Sequence, residues 1–195
     1  MQNLKIDFFS GLEKEIEAQL EQKETVTIAI DGRCGSGKTT LAGLLAAKFD
    51  SNVFHMDDFF LPLELRTAER LQEIGGNFHY ERWEREIGEH LRDKAPFSYQ
   101  IFDCSVMKIN AAKLVTPKRL NIIEGSYCLH PKLQKYYDIM VFVTVNPEIQ
   151  KARILKRNGQ EKWSRFESEW IPKEEMYFQT FSIQEKADFC FLTDS

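Results

Sequence analysis

A chain of 195 residues, 43% hydrophobic and 29% charged, has the make-up of an ordinary globular protein and the length of one domain with a small lid. Its net charge of −4 argues against a nucleic-acid surface, and no apolar run reaches the roughly 18 residues of a membrane span. Cys34, Cys104, Cys128 and Cys190 show neither zinc-site spacing nor a disulfide framework, and Met1–Phe9 lacks a signal-peptide pattern, so a cytoplasmic protein with reduced thiols is expected.

In chain order, Ile6, Phe9, Leu12, Ile16 and Leu20 recur at helical spacing, which predicts an amphipathic helix over about 4–22. The β-branched run Thr25-Val26-Thr27-Ile28-Ala29-Ile30 predicts a buried strand. Gly32-Arg33-Cys34-Gly35-Ser36-Gly37-Lys38-Thr39 follows it directly and matches the phosphate-binding pattern G-x-x-x-x-G-K-[ST] without a gap. Thr40 to Ala47, rich in Ala and Leu, then opens a helix. Glycines let backbone N–H groups converge on phosphate oxygens, and the helix N-terminus adds positive potential. The cofactor-binding expectation is therefore residues 32–40, with Lys38 on the β- and γ-phosphates and Thr39 on Mg²⁺. Cys34 stands apart from the other three thiols because it lies inside the phosphate loop, where a nearby helix N-terminus could lower its pKa and make it modifiable, a side hypothesis to the reduced-thiol reading.

Asn52 to Met56 reads as a second strand ending at Asp57-Asp58-Phe59-Phe60, and residues 64–76 as a polar stretch with a short helix, broken at Gly75-Gly76. Tyr80, Trp83, Ile87 and Leu91 mark a helix face, and Phe97 to Phe102 is aromatic and strand-like. Leu120-Asn121-Ile122-Ile123 is a buried strand running into Glu124-Gly125, and Asp138 to Val145 is the clearest strand, of the kind buried on both faces of a parallel sheet. Pro147 opens a helix that carries Ile149, Arg153 and Arg157 on one side and is expected to end at Asn158-Gly159. Residues 160–172 show no strong periodicity and suit a mobile lid, placed at about 157–172. A helix from about 173 and a strand at Asp188 to Leu192 finish the chain. Strands alternating with helices imply a doubly wound α/β sheet.

Such sheets bind ligands at the carboxyl ends of their strands, where three charged features fall. Asp57, with Asp58, can accept the proton of an attacking hydroxyl or support Mg²⁺. Glu124 ends its strand where P-loop enzymes place the acid that supports Mg²⁺ or its waters. Arg153 and Arg157 sit where a lid would close on a triphosphate, Arg157 being the choice for the γ-phosphate. Asn77 and Phe78, in the segment Gly75 to Trp83, and Tyr99, near Phe97 and Phe102, are the expected acceptor-binding groups.

These residues resemble the uridine kinase and phosphoribulokinase group of P-loop kinases over most of the chain. The likeness rests on Gly32 to Thr39, His55-Met56-Asp57-Asp58-Phe59-Phe60, Asn77-Phe78 followed by Trp83, Glu124-Gly125, and Arg153 to Gly159. It implies a five-stranded parallel sheet flanked by helices, with Asp57 as general base, Glu124 in the magnesium shell and lid arginines on the triphosphate of ATP. Uridine kinases follow Asn-Phe with Asp-His-Pro, where this chain has His79-Tyr80-Glu81. Ribosyl compounds, a sugar acid or a pantothenate-like alcohol thus all remain open as the small-molecule acceptor. The expectation is an ATP-dependent kinase; the alternative is a nucleotide-dependent switch with slow hydrolysis and a protein partner. A homo-oligomer stays open, and no Asn-Lys-x-Asp sequence marks guanine recognition.

Overall fold

The computed structural model describes residues 3–194, and side chains from Phe9 onward, so the expected packing of Ile6 lies outside the described residues. Strands β1 (Val26–Gly32), β2 (Ser51–His55), β5 (Leu120–Glu124), β6 (Ile139–Thr144) and β7 (Phe189–Leu192) form one sheet in the order β2-β5-β1-β6-β7. Every pairing in it is parallel. The central β1 is buried at all seven positions, as its unbroken apolar run predicts.

Helices α1 (Asn3–Gln22) and α2 (Lys38–Lys48) cover one face. There Leu12, Ile16, Ala42 and Leu45 pack with Val26, Ile28 and Ile30. Alternation along β1 sends Ala29 to the opposite face, into a second core built from Phe54, Phe59, Trp83, Phe142, Tyr177 and Phe178. Each large apolar side chain buried in these cores contributes about 1.5–3 kcal/mol. Among the described residues no helix is long and apolar enough to cross a membrane.

Three elements depart from the expected ones. The helix begun at Tyr80 is short: α4 spans Tyr80–Glu86, and a 3-10 turn at Gly88–His90 follows. Helix α3 (Ala68–Gln72) precedes it. Strand β3 (Phe97–Asp103) pairs with β4 (Lys108–Val115) in a separate antiparallel hairpin. β4 was not expected, since it is exposed at every position but its last and shows no apolar alternation to read.

The third departure is the segment expected to form a lid. Helix α5 (Pro147–Arg165) does not end at Gly159 but kinks there, with φ 80° and ψ 168°. Residues 160–172 are therefore helical, passing through a π turn (Phe166–Trp170) into α6 (Ile171–Phe181), followed by α7 (Ile183–Lys186). Trp163, Phe166 and Ile154 form a small core there, packed against Cys34, Leu155 and Ile171. The apolar residues follow a path bent by the kink and widened by the π turn, so a straight 3.6-residue template misses them.

Candidate functional site

The parallel register gathers the site. Ile30 and His55 both lie beside Glu124 across the sheet, so the ends of β1, β2 and β5 meet at one edge. β1 runs into the phosphate loop at Gly32, whose φ is 135° and where a Cβ would come within 1.9 Å of the Val143 carbonyl oxygen. Only glycine fits that turn.

The loop's outward-facing groups are tied to the protein almost one by one. Asp31 accepts from Gly32 N at 2.7 Å, and Arg33 N donates to Val143 O at 3.1 Å. Cys34 N donates to Glu174 Oε2 at 2.9 Å, and Cys34 O accepts from Gln150 Nε2 at 2.9 Å. Gly35 O accepts from Arg153 Nη1 at 3.1 Å, and Ser36 O from Thr193 Oγ1 at 2.6 Å. Among the described residues no protein group accepts from the N–H of Gly35, Gly37, Lys38 or Thr39. The first N–H groups of a helix have no partner within it and suit a phosphate. Lys38, almost wholly buried, rests its ammonium on Gly32 O at 2.7 Å and Arg33 O at 3.1 Å. Thr40 is exposed on the first turn of α2.

The carboxylates stand beside this loop. Thr39 Oγ1 donates to Glu124 Oε2 at 3.1 Å, while Glu124 Oε1 lies 2.5 Å from His55 Nδ1. That bond to Glu124 raises the His55 pKa. Asp57 sits in the 3-10 turn Met56–Phe59, exposed at its tip. Crowding by surrounding protein and then Glu124 raise its pKa, against the pull of Lys38 and His55. A hydroxyl and a carboxylate are hard oxygen donors of the kind Mg²⁺ takes alongside substrate phosphates and water. Among the described residues no group of three or more His, Cys, Asp or Glu could cage a metal.

The expected acceptor residues lie deeper than a binding surface would require. Phe78 is 2% exposed and Tyr99 1%, their rings packed on Phe59 at 6.4 and 5.7 Å. What Tyr99 offers is its hydroxyl, which donates to Asp58 Oδ2 at 3.0 Å. Asn77 is half-buried, and its carbonyl accepts from Leu61 N at 2.9 Å. Arg153 braces the loop, whereas Arg157 is exposed and donates from Nε to Asn158 Oδ1 at 2.8 Å. The expectation for Cys34 is corrected: burial, and then Glu174, push its thiol pKa well above the usual range.

No family model matches the chain. It is 27% identical over 158 residues to the uridine kinase of Geobacillus kaustophilus (strain HTA426), a match spanning 75% of this chain and 73% of that protein. The structure aligns with that of a possible uridine kinase from Bacillus stearothermophilus at a TM-score of 0.70 and 22% identity, covering 95% of this chain and 97% of the other. The chain thus resembles uridine kinase-like P-loop kinases in sequence and shares their fold. A candidate fructose transport system kinase from Silicibacter sp. TM1040 shares the fold at the same TM-score of 0.70, with 24% identity over 94% of this chain and 98% of that one.

Around the phosphate loop, several residues escaped sequence reasoning. Asp31 had a signal, being an acid inside a run of buried strand residues. It accepts from Leu129 N at 2.9 Å and Tyr177 Oη at 2.8 Å, and burial raises its pKa to about 6 despite nearby Lys38. Gln150, Glu174, Glu175 and Thr193 had none, because each reaches the loop from more than 100 positions away.

Proposed function

We propose that this chain is an ATP-dependent kinase that transfers the γ-phosphoryl group to a hydroxyl of a small molecule, in the manner of uridine kinases. The observation that carries this reading is the meeting of Lys38, Thr39, Glu124 and Asp57 at the carboxyl edge of the sheet. The loop N–H groups hold the phosphates. Lys38 moves from the two carbonyls onto the β- and γ-oxygens, which gain charge as transfer proceeds. Thr39 and Glu124 would hold Mg²⁺, which when bound neutralises phosphate charge. Asp57 takes the acceptor's hydroxyl proton as the new O–P bond forms and the bond to the ADP oxygen breaks. Arg157 reaches the γ-phosphate from the lid, and Asn77 orients the acceptor beside the Asp58–Tyr99 pair. The resemblance to a curated uridine kinase supports an alcohol acceptor.

The test is ADP release across a panel of nucleosides, sugar acids and vitamin alcohols. One acceptor should stimulate release strongly. With it, Asp57→Asn should lower turnover about 10²–10⁴-fold, the usual contribution of a positioned base, while Mg·ATP affinity holds within about threefold. Near-normal turnover in that variant would remove Asp57 as the base. ADP release that no acceptor stimulates would favour a nucleotide-dependent switch.

A further inference from the structure

Both stems of the lid are fastened to adjacent residues of the phosphate loop. From α5, Gln150 Nε2 holds Cys34 O at 2.9 Å and Arg153 Nη1 holds Gly35 O at 3.1 Å. From α6, Glu174 accepts from Cys34 N at 2.9 Å and from Ser126 Oγ at 2.7 Å. Its neighbour Glu175 takes the Arg33 guanidinium in two bonds of 2.6 and 2.8 Å. One helical turn carries these carboxylates and Tyr177, whose hydroxyl donates to Asp31 Oδ2 at 2.8 Å. Glu174 is 6% exposed, and a carboxylate withdrawn from water to that degree is kept there by the donors it meets.

We infer that Glu174 is a positioning residue that fixes the phosphate loop in its nucleotide-binding shape and joins the lid to it. This role rests on the kinase reading above and falls to α6. The Cys34 N–H is satisfied by protein rather than ligand. With that bond in place the N–H groups left for phosphate include those of Gly35, Gly37, Lys38 and Thr39, so ATP meets a loop already ordered. Without it, ordering the loop is charged against nucleotide binding, while transfer from the filled site is unchanged.

The experiment measures Mg·ATP binding by calorimetry, which needs no acceptor, and then KM and kcat with the stimulating one. Glu174→Ala should weaken Mg·ATP binding and raise KM for ATP roughly 10–100-fold, the range for losing a charge-assisted bond, with kcat within about threefold. Glu174→Gln retains an acceptor for Cys34 N and should restore affinity to within about fivefold. Should Glu174→Ala fail to fold, Ser126→Ala removes one of the donors that orient Glu174 and should weaken binding about threefold. Wild-type affinity in the Ala variant, or in Ser126→Ala where that is the readable one, overturns the inference. So does a Gln variant as weak as Ala, or a fall in kcat with KM unchanged. If the wild-type chain binds no Mg·ATP, it is the kinase reading that falls.

Discussion

Asp31 is the residue whose chemistry is most altered by its surroundings. The carboxyl is fully buried and its pKa stands at about 6, raised from 3.8, so the folded chain holds a proton that the unfolded chain has released. Below pH 4 both states carry it, and above about pH 6 neither does. The contribution of Asp31 to stability therefore falls as pH rises between those limits and is constant beyond them. A shift of that size corresponds to about 3 kcal/mol. Urea unfolding across pH 4 to 7 should show wild type losing about 3 kcal/mol relative to Asp31→Asn; a constant difference would mean that the carboxyl titrates normally. Asp57 shares the direction, since crowding and Glu124 raise it, which suits a base that must hold a proton briefly.

At the scale of elements, the bend in α5 is the feature most open to test. Gly159 has φ 80° and ψ 168°, with nothing within 4 Å of an added Cβ, so substitution there meets backbone strain and no clash. Gly159→Ala should cost about 1–3 kcal/mol, read as a fall in unfolding free energy. Little change, together with altered lid proteolysis, would mean that the helix straightens instead. The β3–β4 hairpin shows the opposite balance of local and tertiary cause. Its register shifts at Ile101/Phe102, and Phe102 packs on Phe60 at 6.4 Å, so contacts to the turn after β2 hold β3 in place. Exposed β4 pairs with β3 and adds little burial of its own.

Across the molecule, the loop joins elements from both halves of the chain, so a ligand bound there stabilises the whole fold. At a hundred times its dissociation constant, Mg·ATP should add about 2.7 kcal/mol, which raises Tm by roughly 5–10 °C for a chain of this length. Thermal scans with and without Mg·ATP check this, and an unmoved Tm would contradict tight binding to the folded state.

The parallel sheet and the phosphate loop with its strand and helix were legible in the amino-acid order alone. That order also marked the acids at Asp57 and Glu124, because each depends on a continuous run of residues whose local preferences agree. It took the folded chain to show that Glu174, Glu175, Gln150 and Thr193 brace the loop, that Phe78 and Tyr99 are core, and that burial and Glu174 raise rather than lower the Cys34 thiol pKa. Those outcomes turn on burial and on partners distant along the chain, and neither leaves a periodicity or a spacing to read.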